Sequence, residues 1–219
     1  MGRAEVQQRL GFTSQEHWLL RLDHKMVDLI EIRKTIGSRT TDPLVGVLSQ
    51  SGIKPNALTS ISLVPSIAAA YFIGTGHFLL GGALVLVSGL LDLLDGALAR
   101  FTKQTTKFGA ILDSTVDRVS EAAIFCGLLI WYVPKGATLE AAAIFAALIG
   151  SFLVSYIRAR AEGLGLECRV GLFTRAERVI VLAIGLLVNQ VFIALWVLIV
   201  FVYITIAQRL LYLWKQRNF

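Results

Sequence analysis

The chain has 219 residues, of which 55% are hydrophobic and 16% charged. That balance excludes an ordinary soluble domain and a disordered tail, and points to a single polytopic, all-α membrane domain. Lys and Arg outnumber Asp and Glu by 21 to 15, a formal net charge of +6. The charges cluster at the ends of apolar runs, which assigns them to a membrane surface and excludes nucleic acid as the partner.

Residues 1–55 precede the first long apolar run. Trp18, Leu19, Leu22, Met26, Val27, Leu29 and Ile30 recur at roughly helical spacing among Arg21, Asp23, Lys25, Asp28, Arg33 and Lys34. This predicts an N-terminal amphipathic helix lying at the membrane interface, set apart from a membrane domain over 56–219. No short apolar core with a small-residue cleavage site stands at the start, so no cleaved signal is expected. Asp42-Pro43 opens a second short amphipathic segment, and Gly52 and Pro55 break it.

Six membrane spans are predicted, over about 57–73, 78–99, 108–133, 141–157, 176–188 and 191–213. Only Asn189-Gln190 separates the last two. With the N-terminus in the cytosol, the outer loops carry one basic residue, Lys135, while Arg100, Lys103, Lys107, Arg158, Arg160, Arg169, Arg175, Arg178, Arg209, Lys215 and Arg217 fall inside. This positive-inside pattern predicts a multi-pass protein of the cell membrane with both termini cytosolic. Cys126 in a span and Cys168 in a polar loop suggest neither a disulfide framework nor a metal site.

The second and third spans carry the chemistry. They read Asp92-Leu93-Leu94-Asp95-Gly96-Ala97-Leu98-Ala99-Arg100 and, after eight residues, Gly109-Ala110-Ile111-Leu112-Asp113-Ser114-Thr115-Val116-Asp117. On helices, Asp92 and Asp95 share one face, as do Asp113 and Asp117. Two such helices face to face bring four carboxylates together near the cytosolic edge. Each ionised acid in a span costs roughly 2.5–3.5 kcal/mol on insertion scales, and the four repel one another. Divalent cations offset both costs, and hard oxygen donors suit Mg²⁺ or Mn²⁺; two Mg²⁺ ions are the expectation, with Mn²⁺ as the alternative. Gly96, Ala99 and Gly109 are small enough for helices or a nucleotide to approach the backbone.

The spacing D-x2-D-G-x2-A-R-x8-G-x3-D-x3-D resembles the CDP-alcohol phosphotransferases, with every fixed position filled. The resemblance implies transfer of a lipid phosphate group from a CDP-lipid to an alcohol, with CMP leaving. It implies that Asp92, Asp95 and Asp113 hold metal, and that Asp117 acts as the catalytic base and also binds metal. It implies that Gly96, Arg100, Thr106 and the stretch Pro55-Asn56-Ala57-Leu58-Thr59 hold the CDP-lipid. Taken alone, that stretch also fits a helix start with a Pro in its first turn, and Arg100 also fits an interfacial anchor.

A second cluster follows, Ser155-Tyr156-Ile157-Arg158-Ala159-Arg160-Ala161-Glu162 and Thr174-Arg175-Ala176-Glu177-Arg178. Arg158, Arg160, Arg175 and Arg178 stand at the inner ends of neighbouring spans, as a phosphorylated acceptor requires, with Glu162 and Glu177 expected to orient them. These runs resemble a subgroup, the phosphatidylinositol phosphate synthases of actinobacteria and their archaeal archaetidylinositol counterparts. The resemblance covers about residues 40–213 and implies inositol 1-phosphate as acceptor, six spans and a homodimer. Arg158 departs from the subgroup's common lysine, and residues 1–38 have no counterpart. Glycerol 3-phosphate is the alternative acceptor, because arginines do not separate two phosphates. A proton or cation carrier would spread its acids along a path, and an inactive scaffold would leave them unexplained.

Overall fold

The computed structural model describes residues 45–46, 48–50, 52–168 and 170–216. The interfacial helix expected near the N-terminus lies outside them, except that the described residues between 45 and 50 are helical. Six long helices follow: α1 (Pro55–Gly74), α2 (Phe78–Phe101), α3 (Lys107–Tyr132), α4 (Thr138–Gly163), α5 (Arg175–Leu187) and α6 (Val191–Gln216). A 3₁₀ turn, Val133–Lys135, joins α3 to α4, and the described residues contain no strand.

Local chemistry sets the helix ends. Pro55 occupies the first turn of α1, where its missing N–H costs nothing. Thr106 caps α3 by accepting from the Gly109 amide at 2.9 Å. Thr174 and Glu177 close a capping box on α5. Between α5 and α6 the chain turns at Asn189, at φ 55°, a left-handed conformation that asparagine tolerates.

The helices pack as a closed ring: α1 on α2, α2 on α5, α5 on α6, α6 on α4, α4 on α3 and α3 on α1. Close approach at the α1–α3 seam depends on Gly127. A Cβ there would sit 2.4 Å from the Ala70 carbonyl oxygen. The main apolar core includes Ile73, Val85, Phe125, Leu128, Ile144, Leu186, Leu195 and Val202. A smaller cluster joins Val45, Leu58, Leu94 and Leu98. Along α1 and α2 a polar layer falls between them, with Thr59, Ser62, Ser66, Ser88 and Asp95 all buried. The outside is the reverse: Val64, Ile67, Leu79, Ile111, Phe145, Ile184 and Val200 are exposed. Apolar outside with buried polar groups inside is the arrangement a bilayer favours.

The six expected spans correspond one to one with α1–α6. Four of them, α1, α2, α4 and α6, are long and apolar enough to cross a membrane. The other two fall short for physical reasons. α3 carries Lys107, Asp113, Asp117, Arg118 and Glu121. α5 has 13 residues, about 20 Å at ~1.5 Å per residue, against a hydrocarbon layer of ~30 Å.

Candidate active site

Three of the four motif aspartates converge. Asp92, Asp95 and Asp113 each offer a carboxylate oxygen, and these oxygens lie within 4.8 Å of one another. Helical spacing on α2 and the α2–α3 approach produce this, as expected from the sequence. Asp95 is buried, and the Thr59 hydroxyl of α1 faces it. Asp117 adjoins Asp92 but stands outside the trio. Arginines hold it instead: Arg118 Nη1 donates to Asp117 Oδ2 at 3.2 Å, and Arg175 Nη1 lies 2.5 Å from Asp117 Oδ1. The same Arg175 nitrogen donates to Asp92 Oδ2.

The donor set fits a divalent metal. Asp92 Oδ1 and Asp95 Oδ2 are buried oxygens without a hydrogen-bond partner, a costly condition unless something else binds them. Three carboxylates at this spacing are a hard-oxygen set for Mg²⁺ or Mn²⁺.

Beside the trio, the starts of α1 and α3 meet. A Cβ on Gly109 would lie 2.9 Å from Asn56 Oδ1 and 3.0 Å from Thr106 Oγ1, so only glycine fits under these two side chains without displacing one of them. Thr59 Oγ1 donates to the Pro55 carbonyl at 3.1 Å. One turn after Gly96, Arg100 folds back, placing Nη1 3.5 Å from where a Gly96 Cβ would be. Of the residues expected to hold CDP-lipid, Thr59 faces Asp95, Asn56 and Thr106 meet over Gly109, and Arg100 folds back over Gly96. Within the same stretch, Ala57 is exposed, whereas Leu58 is buried in the smaller apolar cluster and serves packing.

The four acceptor arginines occupy different settings. Arg175 touches the aspartates. Arg178 is 3% exposed and makes a bidentate pair with Glu121, at 2.8 and 3.2 Å. Arg158 pairs with Glu162 at 2.8 Å on the exposed end of α4, and Arg160 is exposed nearby. Glu162 therefore orients an arginine as expected, while Glu177 caps α5. The loop before α5 is tied to α6. Arg209 Nε donates to the Val170 carbonyl at 3.0 Å, Arg209 Nη1 donates to the Val154 carbonyl, and the Phe173 amide donates to Thr205 Oγ1 at 3.2 Å. These bonds fix where Arg175 begins its helix. Cys168 is buried in that loop, and burial pushes its thiol up, leaving an unreactive side chain.

Sequence reasoning overlooked Glu121 and Arg118 as contributors. Glu121 carried a visible signal, an acid inside an apolar run four residues after Asp117. Arg118 directly follows the aspartate motif and lines an open groove of about 580 Å³ between α3 and α4.

Comparisons with known proteins agree with this geometry. Residues 53–212 match the CDP-alcohol phosphatidyltransferase family. A phosphatidylinositol phosphate synthase of Mycobacteroides abscessus is 37% identical, covering 79% of this chain and 83% of its own length. An archaetidylinositol phosphate synthase of Pyrococcus horikoshii is 39% identical, covering 74% of this chain and 84% of its own. The crystal structure of Mycobacterium tuberculosis phosphatidylinositol phosphate synthase with CDP-DAG bound superposes with TM-score 0.71 at 35% identity, over 78% of this chain and 92% of that one. The same enzyme in complex with manganese and citrate gives TM-score 0.72 at 35% identity, over 80% and 88%. On the motif, the fold and these matches, the chain belongs to the CDP-alcohol phosphatidyltransferases and is a membrane-associated transferase of phospholipid synthesis.

Proposed function

We propose that this enzyme transfers a phosphatidyl or archaetidyl group from a CDP-lipid to inositol 1-phosphate, releasing CMP. The observation that carries the proposal is Arg175, a guanidinium set directly against the aspartate cluster. It supplies a cationic contact for a second phosphate beside the reacting one. The names of the relatives supply the inositol acceptor.

Asp92, Asp95 and Asp113 would hold Mg²⁺, two ions, or Mn²⁺, with Asp117 adding an oxygen on the acceptor side. Bound there, the metal neutralises the pyrophosphate and the charge that develops on departing CMP. Asn56, Thr59, Gly96, Arg100 and Thr106 seat the CDP portion, and Ala57 and Leu58 shape the helix start beneath it. Asp117 accepts the proton of the attacking inositol hydroxyl. Its contacts with Arg118 and Arg175 keep that carboxylate aimed at the acceptor. Arg175 binds the acceptor phosphate, Arg158 and Arg160 draw the anion in from the cytosol, and Arg178 supports Arg175 from one turn deeper.

The enzyme works as a homodimer in the cell membrane, with six helices per subunit, an interfacial N-terminal segment and a cytosolic active site. The positive-inside distribution supports that orientation, and the short α5 and charged α3 complete the bundle between the four longer apolar helices. The acceptor is tested by incubating the purified enzyme with CDP-diacylglycerol or its archaeal ether analogue. Inositol 1-phosphate, glycerol 3-phosphate and free inositol are offered in turn, and the lipid product is identified by mass spectrometry. A phosphatidylinositol phosphate product is expected; product only from glycerol 3-phosphate contradicts the assignment.

A further inference from the structure

α3 and α5 are joined by two ion pairs, one above the other. The upper pairs Asp117 with Arg175 at 2.5 Å. The lower pairs Glu121 with Arg178, each following its upper counterpart by one helical turn. The lower pair is the buried one, with Arg178 3% and Glu121 8% exposed. Beside the pairs lies a cavity of about 20 Å³, lined by Glu121, Arg175 and Arg178 together with Ser66, Ser88, Ser120 and apolar groups, room on the scale of one water molecule. Ser66 and Ser88 are bonded to each other at 2.6 Å and Ser88 to the Ser62 carbonyl at 3.0 Å, which stiffens the wall facing the pair.

Stability alone does not account for the lower pair, because desolvating two charges at this depth roughly cancels their attraction and an apolar pair of similar volume does as well. Geometry does account for it. A bidentate guanidinium–carboxylate contact fixes distance and orientation together, so it fixes the rotation of α5 about its own axis. That rotation decides whether Arg175, one turn earlier, points at Asp117 and Asp92 or away from them. The upper pair is the more exposed of the two, and its groups serve the reaction, so the lower pair is the one free to hold the rotation.

We infer that Glu121 is a positioning residue: through Arg178 it sets the register of α5 on α3 and so presents Arg175 to the acceptor phosphate. This rests on the acceptor role of Arg175 proposed above. The test is steady-state kinetics of Glu121→Gln and Glu121→Asp in the full-length enzyme, varying inositol 1-phosphate and CDP-diacylglycerol separately, with CDP-diacylglycerol binding measured independently. Glu121→Gln is expected to raise the acceptor KM by about 10–100-fold, the loss of one charge-assisted contact. CDP-diacylglycerol affinity should hold within about two-fold. Glu121→Asp keeps the charge but shortens the reach, and should give an intermediate rise. A merely structural carboxylate would lower kcat with the folded fraction and leave KM alone. That result overturns the inference, as does wild-type kinetics in the folded variants or a parallel loss of CDP-diacylglycerol binding. If Glu121→Gln does not fold, Glu121→Asp decides on the same criteria. Should wild-type enzyme release CMP with glycerol 3-phosphate and not with inositol 1-phosphate, the acceptor assignment fails alone, and the same kinetics are read on glycerol 3-phosphate.

Discussion

Asp117 stands apart from the other three aspartates of its motif. Its sequence spacing from Asp113 is that of a fellow ligand, yet its carboxylate meets Arg118 and Arg175 while Asp92, Asp95 and Asp113 face one another. Substituting Asn for Asp92, Asp95 or Asp113 should therefore cut CMP release by at least ~10²-fold, the scale of losing a principal charge-stabilising group. Near-normal turnover in all three would sink the assignment. Asp117→Asn should lose turnover on a similar scale but bind CDP-lipid with affinity close to wild type, measured by calorimetry in detergent. Binding and turnover falling together would make Asp117 a metal ligand rather than a base. For Arg175→Ala, the KM for inositol 1-phosphate should rise about 10–100-fold, from ~1.5–3 kcal/mol for a charge-assisted contact. If CDP-lipid affinity falls instead, Arg175 serves the donor.

Helix ends and seams carry the site, and not all of this was legible beforehand. The aspartate pairs were, because spacings of three and four residues define a helix face and four acids in an apolar background have few explanations. The Pro55–Thr59 stretch taken alone read as a helix start, and only the motif made it a ligand contact; the structure shows the helix start, with Pro55 in the first turn and Asn56 and Thr106 both close to Gly109. The Glu121–Arg178 pair was not legible, since its partners stand 57 residues apart and nothing local links them. Glu177 read as an orienting acid, and in the structure it also closes a cap, accepting from the Thr174 amide at 2.7 Å. Two expectations belong at this scale. Thr106→Ala should lower stability by about 0.5–2 kcal/mol through loss of the α3 cap, seen as a lower Tm, and weaken CDP-lipid binding; an unchanged Tm contradicts the capping role. Gly127→Val should force α1 from α3 and cost about 1–3 kcal/mol or more. If its Tm matches wild type, that seam is looser than the structure shows.

For the whole molecule, hydropathy located all six helices within a few residues, since long apolar runs leave little choice in a bilayer. Four of the six are long and apolar enough to cross a membrane by length and composition. α5 is short and α3 is charged, and each takes its place in the ring between more apolar helices, α3 between α1 and α4 and α5 between α2 and α6. That arrangement explains how acids costly to insert one at a time persist together: α1, α2 and α3 enclose them, arginines from α3 and α5 offset part of their charge, and the donor set suits a divalent ion. The most direct test is CMP release from CDP-diacylglycerol and inositol 1-phosphate by purified enzyme, first stripped with EDTA and then given Mg²⁺ or Mn²⁺. Release should vanish on chelation and return with either metal in wild type, and stay absent in Asp113→Asn. Full CMP release in the stripped enzyme would contradict a metal-dependent transfer at these aspartates.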